Sequence, residues 1–177
     1  MSALTQLEGI EIFNSLRAKA NFQVWWGRLV RRCVHLCSLE ELLGNQHAYG
    51  RRDIGIRTVP LSQIVASIGR QHDFTNSFLP LAGVSEQRWV GLYLALQGFA
   101  GFPEVELLKV GDKYAVMDGH HRISVMRAAG IEAFPAHVIE VIAPPTQAST
   151  ACPPACCHQI PQDICHFPRP TSRPMLG

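Results

Sequence analysis

Between residues 8 and 32, EGIEIFNSLRAKANFQVWWGRLVRR, apolar positions return every three or four residues: Ile10, Phe13 and Leu16, then Ala20 and Val24. That period, with no proline to interrupt it, predicts an amphipathic helix whose weakest point is Gly27. Trp25 and Trp26 are adjacent in sequence, and helical neighbours diverge by about 100°, so one partner cannot bury both. They are expected to pack against the rest of the chain or a second subunit. Ser38 with Glu41 three residues later makes a capping box for a short second helix, SLEELLGN (38–45), stopped by Gly44. HAYGRRDIGIRT, with two glycines and four charges, reads as a loop.

From Thr58 the pattern tightens. RTVPLSQIV predicts a short strand and then a turn of helix after Pro60, and residues 67–85 form a long polar connection of the kind often used for function. SEQRWVGLYLALQG (85–98) reads as a helix capped by Ser85, with Trp89, Leu92 and Leu96 on one stripe and Gly98 at its end. PEVELLKV and KYAVM read as strands joined by a Gly111-Asp112 hairpin turn. A helix from His120 to Ala129, closed by Gly130, and a β-branched strand over 133–142 complete the set. This order predicts an α+β fold: a compact domain over 56–142, preceded by an amphipathic helical arm over 1–55. Residues 143–177 hold eight of the twelve prolines and almost no apolar period, so an irregular or disordered tail is expected there.

Composition changes this picture in three ways. The chain has 177 residues and no apolar run approaching the roughly 18–20 that a membrane span needs. Its start carries an early acid and no apolar run beside a cleavage site, so the expectation is a cytoplasmic protein with no membrane partner. The net charge of +2 hides a segregation: residues 17–57 carry eight Lys/Arg against three acids, and residues 58–142 carry six against eight. A basic arm on a mildly acidic domain could meet a polyanion such as DNA or RNA, or could be an ordinary solvated face. Of the six cysteines, Cys33 and Cys37 lie four apart and the others in the tail, and in a cytoplasmic chain they are not read as a disulfide framework. The tail spacing of CPPACCH and Cys165-His166 fits no standard zinc pattern, so no metal site is expected.

The densest chemistry is YAVMDGHHRISVMRAAG (114–130), where a strand turns directly into a helix. The first amides of that helix lack intrahelical acceptors, and with the positive end of the helix dipole they favour an anion. Gly119 lets the backbone bend and a ligand approach. Arg122 can fork onto phosphate oxygens, His120 and His121 can donate hydrogen bonds or move protons near neutral pH, and Ser124 offers a hydroxyl. Asp118 can orient a histidine, cap the helix or help hold a divalent metal on a nucleotide. Adjacent helical histidines diverge too far to chelate one metal, which argues against zinc.

YAVMDGHHRISVMRAAGIEAFPAHVIEV, with VPLSQIVASIGRQHDF upstream, resembles the nucleotide-binding core of the ParB/sulfiredoxin superfamily over about residues 58–142. The resemblance implies a small mixed sheet with two main helices and a turn that binds nucleotide phosphates, with Arg70 as a further phosphate or base contact. ParB proteins carry Gly-Glu-Arg-Arg at this turn and continue into a DNA-binding helix-turn-helix; here the tail is proline-rich. Sulfiredoxins carry Gly-Gly-Cys-His-Arg, and His120 stands at the cysteine, which removes thiol-repair chemistry. DGHHR is most similar to the branch of ADP-dependent free-serine kinases. Their catalytic glutamate follows the first strand, where this chain reads Ile64-Val65-Ala66-Ser67-Ile68, with Asp73 the nearest acid.

The expected function is therefore binding of a nucleoside di- or triphosphate (ATP, ADP or CTP) with Mg2+ at Gly119, His120, His121, Arg122, Ser124 and Arg70. An NTPase or phosphotransferase would use His120, His121 and Asp118 as catalytic groups. The competing expectation is a DNA- or RNA-associated regulatory module using residues 17–57, and a third is a homodimer formed through Trp25 and Trp26.

Overall fold

The computed structural model describes residues 3–44, 50–98 and 103–142. The chain opens with a long helix, α1 (Ala3–Val30), followed by β1 (Cys37–Ser38), a short helix α2 (Leu39–Leu43), β2 (Gly50–Pro60) and a single 3-10 turn (Leu61–Gln63). Then come β3 (Ile64–Ser67), α3 (Glu86–Gln97), β4 (Glu106–Val110), β5 (Lys113–Asp118), α4 (His120–Ala128) and β6 (Ala133–Ile142). The strands form one mixed sheet in the order β1-β3-β5-β4-β6-β2, so the α+β expectation holds. β3 and β5 are parallel neighbours with Ser67 beside Val116, which brings the carboxyl ends of both strands to one edge of the sheet. That edge carries the candidate site.

One main core fills the space between the sheet and the helices, centred on Phe13, Trp89, Leu107, Val116, Ile123 and Val138. The opposite sheet face carries a smaller cluster of Leu42, Leu43, Ala66, Leu108, Ala115 and Val141, against which α2 packs. Phe13 of α1 is fully buried, its ring 5.5 Å from Trp89. Arg17 lies over the Phe13 ring and donates to the Val84 carbonyl at 2.8 Å. The amino-terminal helix is thus built into the domain core.

The glycine that weakens α1 has a steric reason: a Cβ on Gly27 would sit 2.5 Å from Val34 Cγ1, because the chain folds straight back over it. Arg31 adopts a left-handed conformation just past the helix, and the Arg32 amide donates to Gly27 O at 2.8 Å, ending the helix with a Schellman-type bond. The capping box at Ser38 and the cap at Ser85 read from the sequence are both present. Ser38 Oγ accepts from the Glu41 amide while Glu41 accepts from the Ser38 amide, and Ser85 Oγ accepts from the Arg88 amide.

Four expectations need correction. The stretch read as a loop, 47–58, contributes its residues from Gly50 onward to β2, which pairs with β6 from Gly50–Ile142 to Pro60–Ala133. Its period is hidden by a bulge at Asp53–Gly55 and by charged side chains that pair across the exposed ribbon, Arg52 with Glu140 and His137 with Asp53. The boundary expected at 55/56 therefore falls inside this strand. The turn after Pro60 is present but leads at once into β3, an unrecognised strand. Cys37 is disulfide-bonded, whereas Cys33 is free. Trp25 and Trp26, expected to pack against the rest of the chain or a second subunit, are 57% and 50% exposed. The tail expectation, 143–177, lies outside the described residues.

Candidate functional site

β5 delivers Asp118 to the sheet edge, and Gly119 reverses the chain with φ 105°, a left-handed conformation that favours glycine. α4 starts at the next residue. Its first intrahelical bond runs from the Ile123 amide to Gly119 O at 3.0 Å, and no side chain caps the amides before it. Those amides border a cavity of about 350 Å³ lined by Arg70, Gln87, Arg88, Gly91, Leu92, Pro103 and the whole Asp118–Arg122 turn. Three elements converge here: the loop after β3 brings Arg70, the first half of α3 brings Gln87 to Leu92, and the β5–α4 junction brings the rest.

The two histidines are buried, not superficial. His120 Nε2 lies 2.6 Å from Ser67 Oγ, and its ring stacks on Phe74 with centroids 6.3 Å apart. Ser67 Oγ also accepts the Arg70 amide at 3.2 Å, so one hydroxyl ties the start of α4 to the arginine loop. Burial, and then the positive charge of Arg70, lower the His120 pKa to about 4, so the ring is neutral at pH 7. His121 meets Phe74 edge-on at 5.5 Å, and burial followed by Arg88 and Arg70 lowers its pKa too. With both rings neutral, the lining charge comes from three arginines against Asp118.

Those arginines differ in how free they are. Arg70 pairs with Asp73 at 3.1 Å and stays half exposed. Arg122 is mostly buried: it pairs with Asp118 and donates to the carbonyls of Glu104 and, at 2.7 Å, Pro103. Its first task is to clamp the lead-in to β4 onto the turn. Arg88 is exposed and makes no ion pair among the described residues.

Six of the seven residues singled out from sequence line the same cavity: Asp118, Gly119, His120, His121, Arg122 and Arg70. Ser124 does not. It is buried, and its Oγ accepts the Trp89 indole N–H at 3.0 Å, making it a core hydrogen-bond partner one turn below the site. Asp118 caps nothing; its Oδ2 pairs with Arg122, and the side chain is largely exposed. Among the described residues no three His, Cys, Asp or Glu side chains cluster as a metal site.

Sequence reasoning missed Arg88, Gln87, Gly91 and Ser67. The available signal was Gly91, a helix-interior glycine whose added Cβ would meet nothing within 4 Å, so packing does not require it. It marks the face of α3 that stays open toward the cavity. The basic residues of 17–57 are dispersed by comparison: Arg17 points into the core, Arg52 pairs with Glu140, and Arg28, Arg31 and Arg32 gather at the end of α1.

No family model matches the chain, and no curated protein matches it. Among solved structures it is similar to sulfiredoxin from Arabidopsis thaliana, with 13% identity and a TM-score of 0.37 over 47% of this chain and 82% of that one. No helix among the described residues is long and apolar enough to cross a membrane.

Proposed function

We propose that the protein binds a nucleoside di- or triphosphate, ATP, ADP or CTP with Mg2+, with its phosphates on the Gly119–Arg122 turn. The observation that carries the reading is the cavity of about 350 Å³ onto which Arg70, Arg88, Arg122 and the uncapped start of α4 all face. Backbone amides at a helix start and guanidinium groups are both suited to phosphate oxygens. Arg88, having no carboxylate partner among the described residues, supplies the charge most available to an anion. The volume exceeds what a free phosphate needs, and Gly91 and Leu92 offer an uncharged wall for a ring. Asp118 is the lining carboxylate able to meet a phosphate-bound Mg2+, an ion that commonly takes one or two carboxylates.

The DGHHR resemblance to free-serine kinases extends this reading to an NTPase or phosphotransferase. In that role His121 is the better proton-handling group, because His120 Nε2 is committed to Ser67 and its basicity is strongly suppressed. Asp73, held by Arg70 beside the site, is the carboxylate placed to position an acceptor hydroxyl.

The test is calorimetric titration and thermal unfolding of the full chain with ATP, ADP and CTP, with and without Mg2+. A nucleotide at a hundred times its dissociation constant should stabilise the fold by about 2.7 kcal/mol. Arg88→Ala should abolish that gain while leaving the unliganded stability unchanged, since the side chain holds no other element in place. If no nucleotide binds or stabilises the folded wild type, the proposal fails.

A further inference from the structure

α1 has two apolar faces and the domain uses one. Phe13, Ala20 and Gly27 are buried on the inner face. On the outer face Glu11, Ser15, Ala18, Phe22, Trp25 and Leu29 follow one another at helical spacing, and all are exposed. Phe22 and Leu29 are each 63% exposed, and the Phe22 ring lies 5.8 Å from Trp25 and 6.5 Å from Trp26. Among the described residues these three rings pair only with one another. A contiguous patch of this size on a monomer marks an interaction surface.

We propose that this surface binds a second copy of the chain, with the two α1 helices antiparallel about a two-fold axis at the level of Ala20. The argument is self-complementarity. After Leu7, itself exposed, the amino-terminal half of the stripe is small and acidic (Glu8, Glu11, Ser15, Ala18), and the carboxy-terminal half is large, beside Arg28, Arg31 and Arg32. An antiparallel pairing centred on Ala20 sets position 11 against 29, 15 against 25 and 18 against 22. Trp25 and Phe22 then meet Ser15 and Ala18, and Leu29 meets the methylene stem of Glu11, which is how closely packed helices accommodate bulk. The acids of one copy lie beside the arginines of the other. A parallel pairing would oppose like charges and stack tryptophan on tryptophan. A polyanion would be attracted at the arginine end and repelled by Glu8 and Glu11. Two-fold symmetry with one self-complementary patch closes as a dimer.

The experiment is sedimentation velocity of the full chain across a concentration series. The wild type should be a dimer at micromolar concentration. Trp25→Glu with Trp26→Glu should give a monomer with unchanged helix content by circular dichroism, since both side chains lie outside the core. Ala18→Trp discriminates further: it adds apolar surface, so nonspecific association would strengthen, but in the proposed register it collides with Phe22 of the partner subunit and should also yield a monomer. Glu11→Arg should weaken the dimer several-fold, and combining it with Arg28→Glu should restore it. A wild type that stays monomeric throughout overturns the proposal. So does an Ala18→Trp variant that dimerises more tightly, or a monomeric wild type that binds nucleic acid through the tryptophans.

Discussion

Ser67 Oγ lies 2.6 Å from His120 Nε2, and neither side chain is more than 4% exposed. The hydroxyl also accepts the Arg70 amide, leaving its own proton for the imidazole nitrogen. The ring is thus satisfied in its neutral form, held flat against Phe74, and the loop bearing Arg70 is fixed to the start of α4. A histidine that looks like a ready proton carrier in the sequence is, in the fold, first a neutral strut between two elements that line the cavity.

That strut has a pH cost with a defined sign. The unfolded chain takes up a proton on His120 near pH 6.5, whereas the folded one resists until about pH 4, because burial and Arg70 oppose the charge. Stability from this group is therefore complete above pH 6.5 and is lost as pH falls from 6.5 to 4, by roughly 3 kcal/mol over the window. His121 and His35 are also lowered by burial and add to the slope in the same direction. Urea unfolding at a series of pH values should show the midpoint dropping through this range, and His120→Gln should flatten the dependence. An unfolding free energy indifferent to pH between 7 and 4 would contradict the buried neutral ring.

Gly91 separates stability from ligand binding. Its Cβ position is open, and alanine in a helix interior is favoured over glycine by about 0.8–1.0 kcal/mol, so Gly91→Ala should raise the denaturation midpoint. Gly91→Glu should cost the fold little yet place a carboxylate on the cavity wall opposite the arginines. Its expected phenotype is normal stability with nucleotide binding abolished by calorimetry. Unchanged affinity in the glutamate variant would place the ligand elsewhere.

How much of this was legible beforehand depends on where the information is stored. The turn at 118–122 was readable because its chemistry is local: a glycine, an arginine and two imidazoles at a strand–helix junction. The helix caps at Ser38 and Ser85 are equally local. Ser67 and Arg88 were not readable, since each acquires its role only when β3 is laid parallel to β5 and α3 is packed over α4. β2 escaped notice because a bulge breaks its alternation and because its exposed residues are charged on an edge strand. The Trp89 partner of Ser124 was hidden for a related reason. The serine hydroxyl is one turn into α4, on the side facing Trp89, and helical phase alone does not say which neighbour that side will meet.

The Ser124 pairing can be tested directly. Ser124→Ala leaves the buried Trp89 indole N–H without its acceptor, which should cost roughly 1–3 kcal/mol of stability. Nucleotide affinity measured below the unfolding transition should be unaffected. A variant of normal stability with impaired binding would return Ser124 to the ligand site.

Gly119 is constrained twice, and the two constraints can be separated. Its φ of 105° is one that side-chain-bearing residues rarely adopt, and an added Cβ would lie 2.9 Å and 3.1 Å from the two methyls of Val105. Gly119→Ala should therefore destabilise the fold by roughly 1–3 kcal/mol. Combining it with Val105→Ala removes the steric collision but leaves the backbone strain, and Val105→Ala alone supplies the cost of the missing methyls. If the double variant is more stable than the two single effects added together, the collision is real and the remainder measures the strain. Because Arg122 Cζ also lies 3.3 Å from that Cβ, the single variant should push the guanidinium off the Pro103 and Glu104 carbonyls, loosening the lead-in to β4. Hydrogen exchange of the amides of residues 104–106 should speed up in Gly119→Ala and recover little in the double variant. Exchange rates that match the wild type would show that the arginine clamp holds without the glycine.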